Sequence, residues 1–462
     1  MEKNYQGNFF RFLINGGFFG IGGMPIGAML SYYSVMTMFV TALGFGSMSI
    51  ALINGIVYLG FALPQVPAAY FLESKRIKKY WVGLLQLAAS FCMFSFGLLL
   101  FALEGKNSLL IMILFIAFYS IGNIIYGCAM PSQFALFNKI VPANKLGSLL
   151  GIMFVSNSIA GIVGGMVVKA AFQRWPVNNT DPDFSLTAFK FLFVSAFFLM
   201  LMATLSLISI KEEEGEPVEK KESFAKYVLG IAVYLKRDPN LIKFFIGKNL
   251  MFGQFVTKLF YVTYAVVQLG VNPENAGTFI SCFLFGFFVS GLTLAKLADR
   301  YGPKFLLVLS QALALTGVLG AIFPSAAAVV VTPVFTFGYA FLNIILGPFD
   351  IHLILEPGYH TVFYAVFFFG GLSQICDNVG YSNMAFQSCP IDDKTTFIGF
   401  VNLFTFIMPV IMPFVFGWFE AAGYVSIRAI FIINAFVMIV AMLWITFMVD
   451  NPEGFKKLKK SE

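Results

Sequence analysis

Residues 291–304, GLTLAKLADRYGPK, form a short charged turn set between two long apolar runs. Gly302 permits a sharp reversal of the backbone there. The flanks repeat a chain-wide pattern: apolar stretches of about 20 residues, the length that crosses the hydrocarbon of a bilayer, recur from Phe12 to Val449. Spans are predicted at 12–39, 46–72, 81–103, 108–136, 146–171, 187–210, 244–269, 276–298, 305–323, 361–388, 396–419 and 427–449, with a further apolar stretch at 326–349. Of 462 residues, 59% are hydrophobic and 11% charged, whereas a soluble chain carries about 25% charge. Barrel strands would alternate in short segments, and nothing here does. The expected fold class is an all-α polytopic membrane protein.

Basic residues set the expected orientation, because Lys and Arg stay in cytoplasmic loops. Lys3 and Arg11 precede the first span; Lys75, Arg76, Lys78 and Lys79 follow the second; Lys139 and Lys145 follow the fourth. Lys211 through Lys243 lie in the central linker, Lys296, Arg300 and Lys304 in the eighth turn, and Lys456, Lys457, Lys459 and Lys460 in the tail. Both termini are expected in the cytoplasm, with the chain multi-pass in the cytoplasmic (plasma) membrane. The net charge of +7 is accounted for by this asymmetry, which leaves no support for a nucleic-acid partner.

The first apolar run is too long for a cleavable signal and lacks a small-residue cleavage site, so it reads as a retained helix. Cys92, Cys128, Cys282, Cys376 and Cys389 sit inside or at the ends of spans without metal-ligand spacing and read as small buried hydrophobes. Asn178-Asn179-Thr180 is a sequon in an outward loop. The polar stretch from Lys211 is a linker. After it, Phe224, Tyr227, Val228, Ile231, Tyr234 and Leu235 form one apolar helical face, a surface helix suited to a membrane interface or to docking. The expected division is 1–210, an N-terminal six-helix bundle; 211–240, the linker; and 241–462, a C-terminal six-helix bundle with an insertion near 324–358.

The two sides share a pattern. Pro142 precedes Gly151 by nine residues between the fourth and fifth spans, as Pro390 precedes Gly399 between the tenth and eleventh. Gly161, Gly164 and Gly165 then line a small-residue face that allows close helix approach. Six-plus-six repeats are a transporter signature. From Phe12 to about Val449 the layout resembles the major facilitator superfamily. Its loop motif, roughly Gly-x-Leu-Ala-Asp-Arg-x-Gly-Arg-Lys, is matched by Ala295 through Lys304, with departures at Ala295 and Pro303; the first copy, Leu72 through Lys79, keeps an acid and bases but no glycine. Asp299 can accept bonds from a neighbouring helix N-terminus and Arg300 can pair with an acid across the bundle interface. With Gly302 and Lys304 they read as a gating latch, or as a solvated turn that fixes topology.

Polar groups inside spans are costly and mark pathways. Gln254 and Lys258 lie on one face of the seventh span, with Tyr261 a turn further; Asp377 and Asn378 lie in the tenth, followed by Tyr381 and Asn383. The resemblance implies that the first, fourth, seventh and tenth helices line a central cavity, where Lys258 would bind an anion and Asp377 would carry a coupling proton. Alternatively the two are a structural ion pair, or Lys258 snorkels outward. Asn15, Asn123, Tyr126 and Gln133 are milder candidates for substrate contact, equally suited to helix packing. His352 and His360 with Asp350 and Glu356 match no defensible metal motif, and no phosphate-binding glycine loop follows a strand.

The expected function is therefore secondary active transport of a small molecule by alternating access, leaning to an organic anion or carboxylate. Protons or sodium would be the coupling ion, with the lipid bilayer as surroundings, no cofactor, and a monomeric chain. The alternatives are an exporter of drugs or neutral metabolites, and, in another class, a membrane receptor or metal-dependent membrane enzyme. From Lys304 to Pro390 the chain is longer by about one helix than from Lys79 to Pro142. A thirteenth crossing would put the lysine-rich tail outside, against the positive-inside rule. The extra stretch is expected not to cross fully but to form an outward-side hairpin or re-entrant helix, with breaks supplied by Pro333 and Gly347-Pro348.

Overall fold

The computed structural model describes residues 2–72, 75–103, 107–140, 146–177, 185–214, 239–294, 297–346, 358–388 and 401–452. Every regular element among them is helical, as expected where no water is at hand to satisfy an exposed strand edge. In chain order these are α1 (Glu2–Gly22), a 3₁₀ turn (Ala28–Leu30), α2 (Val35–Ala42), α3 (Ser47–Ala62), α4 (Gln65–Leu72), α5 (Lys79–Ala102), α6 (Ser108–Ile140), α7 (Leu146–Arg174) and α8 (Thr187–Ile208). They are followed by α9 (Pro239–Leu250), α10 (Phe252–Thr263) running into a π-helical turn (Tyr264–Gln268), α11 (Asn275–Thr293), α12 (Leu297–Tyr301) and α13 (Pro303–Ile322). Last come α14 (Pro324–Leu346), α15 (Tyr359–Ser388), α16 (Ile407–Ala421) and α17 (Ile427–Met448). The predicted surface helix at 224–235, the paired Pro142 and Pro390 turns, the sequon, Cys389, and His352 with Asp350 and Glu356 lie outside the described residues.

Among the described residues, eleven stretches of helix are long and apolar enough to cross a membrane. The first predicted span differs from expectation. Instead of one helix over 12–39, α1 starts near the N-terminus and stops at Gly22, and only α2 resumes the path. Gly22, Gly23, Pro25 and Gly27 explain the break, since glycine favours non-helical backbone and proline removes a donor. The break carries Ser31, Tyr32 and Tyr33 into the interior, all buried.

The helices sort into two bundles. In the first, α1 packs on α7 and α8, α5 on α6 and α8, and α3 on α6. In the second, α15 packs on α11 and α13, and α17 on α9, α10 and α13. The bundles meet along two seams, α7 against α11 and α3 against α16. The first seam is nearly backbone to backbone: a Cβ on Gly277 would lie 2.3 Å from the Lys169 nitrogen and 2.4 Å from the Gly165 oxygen. The small-residue face read from Gly161, Gly164 and Gly165 is thus spent partly within its bundle and partly across the seam, Gly164 against Ile21 and Ala28, Gly161 and Gly165 against Leu284 and Ser281.

One face of the molecule collects Lys75, Lys78, Lys79, Lys139, Lys211, Arg300 and Lys304; here Asn8 bonds Lys211 and Asn240 bonds Asp450. We call it the lysine-rich face, and the opposite one, with the turns at Gly44, Gly270 and Gly423, the far face. Glu212 organises the former. Its side chain, wholly buried, accepts from the Lys78 and Lys79 backbone nitrogens at 2.9–3.0 Å and from Lys139 Nζ at 2.8 Å, an anion seated on the N-terminus of α5.

α14 starts immediately after α13 ends at the far face, and Gly358 brings the chain back to that face before α15. Ser325 meets the Tyr359 hydroxyl at 3.2 Å, Thr332 meets Thr361 at 2.8 Å, and the Phe335 and Tyr364 rings are 5.8 Å apart. About 15 Å of α14 therefore passes about 7.5 Å of α15 at 1.5 Å per residue, an oblique crossing, and α14 runs unbroken through Pro333, where a break was expected. Val329, Val330, Val334 and Phe337 are 67–76% exposed, a surface that hydrocarbon would cover.

Candidate functional site

The interior charges converge between the bundles on the second-bundle side. α9 presents Lys248, α10 presents Gln254, Phe255 and Lys258, and α15 presents Ser373, Gln374, Asp377, Asn378 and Tyr381. Lys248 and Asp377, each 2% exposed, form an ion pair. Lys258, 4% exposed, donates to Gln374 Oε1 at 2.7 Å, and Gln374 Nε2 donates to Asn378 Oδ1 at 3.0 Å. Gln254 Oε1 accepts from Ser373 Oγ at 3.0 Å, and the buried Gln254 Nε2 meets no partner among the described residues. A single ring ties the two cations together: Lys248 Nζ is 5.6 Å and Lys258 Nζ 5.7 Å from the centroid of Phe255, within cation–π range. Asp377 and Lys258 feel each other's charge, but the carboxylate's bonded partner is Lys248.

The first bundle answers with tyrosines. Tyr58 on α3 lies within electrostatic reach of Asp377, packs 5.4 Å from Phe255, and shares a 3.2 Å hydroxyl contact with Tyr32. Tyr33 packs at a tilt with its ring centroid 4.8 Å from that of Phe283, whose ring is 5.8 Å from Lys258 Nζ. The buried hydroxyls of Tyr33, Tyr119 and Ser31 meet no hydrogen-bond partner among the described residues. An unmet buried donor costs about 1–3 kcal/mol, a cost that a ligand rich in acceptors would relieve.

Gln254, Lys258, Asp377 and Asn378 are thus gathered as their spacing suggested. Tyr261 is directed away, into a ring cluster with Phe363, Phe367 and Phe431. Asn15 donates to the Ala203 carbonyl at 2.9 Å and joins α1 to α8. Asn123 bonds back to the Tyr119 carbonyl and sits against Gly60. Tyr126 stacks on Phe19, and Gln133 accepts from Gln86 Nε2 at 3.2 Å. In the charged turn, Arg300 is exposed, its guanidinium 5.2 Å from the Tyr301 ring, and forms no ion pair among the described residues. Gly302 has φ +88°, and a Cβ there would fall 2.6 Å from Asn451 Oδ1, which also accepts from the Lys304 nitrogen at 3.2 Å. This turn is fastened to the end of α17, in its own bundle. Nothing is described of the Asp299 side chain.

Sequence reasoning passed over Lys248, although a lysine inside the seventh predicted span was itself the signal. It also passed over Gln374, Tyr58 and the Tyr32-Tyr33 pair, whose position depends on the break after Gly22. Among the described residues no three His, Cys, Asp or Glu side chains converge as metal ligands.

Two bundles of membrane-length helices thus close on a buried polar centre. Residues 183–352 match the family model of the Major Facilitator Superfamily. Solved structures of the same fold include a D-xylose–proton symporter (14% identity, 98% of this chain and 99% of that one, TM-score 0.63). Others are the nucleoside transporter NupG (13%, 96% and 100%, 0.62) and the E. coli fucose:proton symporter FucP (15%, 97% and 100%, 0.59). A search of curated proteins finds no significant match.

Proposed function

We propose that this protein is a proton-coupled carrier of a small organic anion, such as a carboxylate. One observation carries the reading: Lys258 is a buried ammonium with an amide, not a carboxylate, as its bonded partner, so the centre holds a cation in excess of its internal anions. An uncompensated charge at that depth is expensive and selects a counter-ion. The unmet donors on Gln254 and Tyr33 would complete a cradle for oxygen acceptors. Asp377 is the coupling group in this reading, because protonating it would free Lys248 as a second cation for substrate.

The lysine-rich face is cytoplasmic in this reading, with both termini inside, and the bundles rock as units of 1–210 and 241–462 about a linker at 211–240. A second reading, a neutral hydroxylated solute, is favoured by the internal neutralisation of Lys248 by Asp377 and by the tyrosine-rich first-bundle wall. The named structural neighbours for xylose, fucose and nucleosides keep the same class of solute in view. Proteoliposomes offered radiolabelled carboxylates, sugars and nucleosides under an imposed proton or sodium gradient decide between them. Proton-driven accumulation of an acid supports the first reading, and uptake confined to neutral solutes overturns it.

A further inference from the structure

We infer that Tyr381, Asn402 and Gln65 form a buried polar latch between the bundles whose closure depends on the Lys248–Asp377 pair; the link to transport rests on the carrier reading above. Gln65, the first residue of α4, belongs to the first bundle and is buried; Asn402, near the start of the Val401–Ala421 span, belongs to the second and is buried too. Asn402 Nδ2 donates to Gln65 Oε1 at 2.7 Å, across the seam. The other side of the same amide, Oδ1, accepts from the Tyr381 hydroxyl, which lies 3.1 Å from Thr405 Oγ1. The Tyr381 ring sits 5.0 Å from Lys248 Nζ, and Lys248 is the ion-pair partner of Asp377, one helical turn from Tyr381 on α15. An unbroken chain of contacts thus runs from the buried carboxylate to a side chain of the opposite bundle.

The chain has a direction of action. While Asp377 is charged, the Lys248 ammonium is committed to it and presents only its cation–π contact to Tyr381. When that charge is removed or drawn away, an ammonium in a dry interior must take another acceptor. Tyr381 and the Asn402 carbonyl behind it are the next polar groups along this chain of contacts. Of the other groups near Asp377, Lys258 is a cation that cannot accept, the Cys376 thiol is a weak acceptor already in contact with Ser290 Oγ, and the Tyr58 hydroxyl is shared with Tyr32. If the ammonium competes for Asn402 Oδ1, the amide turns and its bond to Gln65 is lost. Gln65 holds nothing in reserve, because its own Nε2 is buried without a partner. The latch is therefore a single bond on the first-bundle side.

Position makes the latch consequential. Gln65 and Asn402 lie toward the lysine-rich ends of their spans, next to an aromatic plug. Phe406 is 5.2 Å from Tyr58, 6.1 Å from Phe61 and 6.4 Å from Tyr381, so it contacts both bundles. Releasing Tyr381 and Asn402 loosens the packing that holds Phe406 between the central site and the lysine-rich face.

The test uses full-length protein freed of its five cysteines, with Phe406→Cys as the only thiol, and follows the labelling rate with a membrane-impermeant maleimide in detergent and without solute. Asp377→Asn is expected to raise the rate about fivefold, the scale of one lost hydrogen bond. Tyr381→Phe should raise it similarly, and adding Asp377→Asn to it should give no further increase, the non-additivity expected of residues in one chain. Gln65→Met should also open the latch, whereas Gln65→Glu, which keeps the acceptor, should label like the parent; this pair tests the latch independently should Tyr381→Phe not fold. Equal effects of Asp377→Asn with and without Tyr381, or a parent-like rate for Gln65→Met, overturn the inference. Because no solute is present, either result is independent of whether Lys258 selects an anion, which the uptake panel decides.

Discussion

Lys248 on α9 and Asp377 on α15 form an ion pair inside one bundle, not across the seam between the two. A bridge between bundles would have to break whenever they rock apart. Under the rocking motion proposed above this one would persist, so it is suited to registering a proton or a substrate charge and not to holding a gate shut. What spans the seam nearby is neutral: the Asn402–Gln65 amide pair and, nearer the far face, Asn54 donating to the Pro409 carbonyl at 3.0 Å. Neutral hydrogen bonds of this sort are worth about 0.5–1.5 kcal/mol each, a scale that allows rapid making and breaking.

Asp377→Asn should abolish gradient-driven accumulation while leaving solute exchange measurable, because the side chain keeps its shape and loses its titratable charge. Uphill uptake and counterflow in the same proteoliposomes check this. Unaltered accumulation would remove Asp377 from coupling.

The ion pair also makes a stability prediction. Lys248→Met or Asp377→Leu alone leaves a buried charge unpaired and should cost about 3–5 kcal/mol, whereas the double replacement should be close to neutral. Thermal unfolding of the three variants in detergent, treated as a double-mutant cycle, measures the difference. Additive losses would show that the two charges are compensated elsewhere.

Lys258→Gln should weaken binding of the best anionic substrate by at least about tenfold, equivalent to 1.4 kcal/mol, with little change for neutral solutes. Equilibrium binding to purified protein is the measurement. Wild-type affinity in the variant would end the anion reading.

A re-entrant course for α14, as expected from the sequence, predicts that cysteines at Ser325 and at Glu356, on either side of the stretch, react with an impermeant reagent from the same side of the membrane. A full crossing would put them on opposite sides, as parity requires.

Much of the architecture was legible in the chain. Apolar runs of membrane length dictate helices wherever backbone polar groups must be satisfied locally, and this placed nearly every element. Gly302 announced its turn because φ +88° is a conformation that favours glycine. The first span was misread because hydropathy registers Gly22 through Gly27 as merely apolar, whereas their backbone preferences break the helix and bring Tyr32 and Tyr33 inward. Of the site, Gln254, Lys258, Asp377 and Asn378 were recognisable as polar residues at a cost within hydrocarbon. Their partners were not. Sequence spacing reports which residues share a face of one helix, but Lys248 meets Asp377, and Gln65 meets Asn402, only through packing between helices far apart in the chain. Tyr126, Gln133 and Tyr261 had the right chemistry and spacing, yet rotation of their helices turns them to structural neighbours. The amino-acid order thus determined the class of solvent, the helices and the inventory of interior polar groups. Only tertiary packing decided which of those groups pair, which are left with unmet donors, and which face the seam between the bundles.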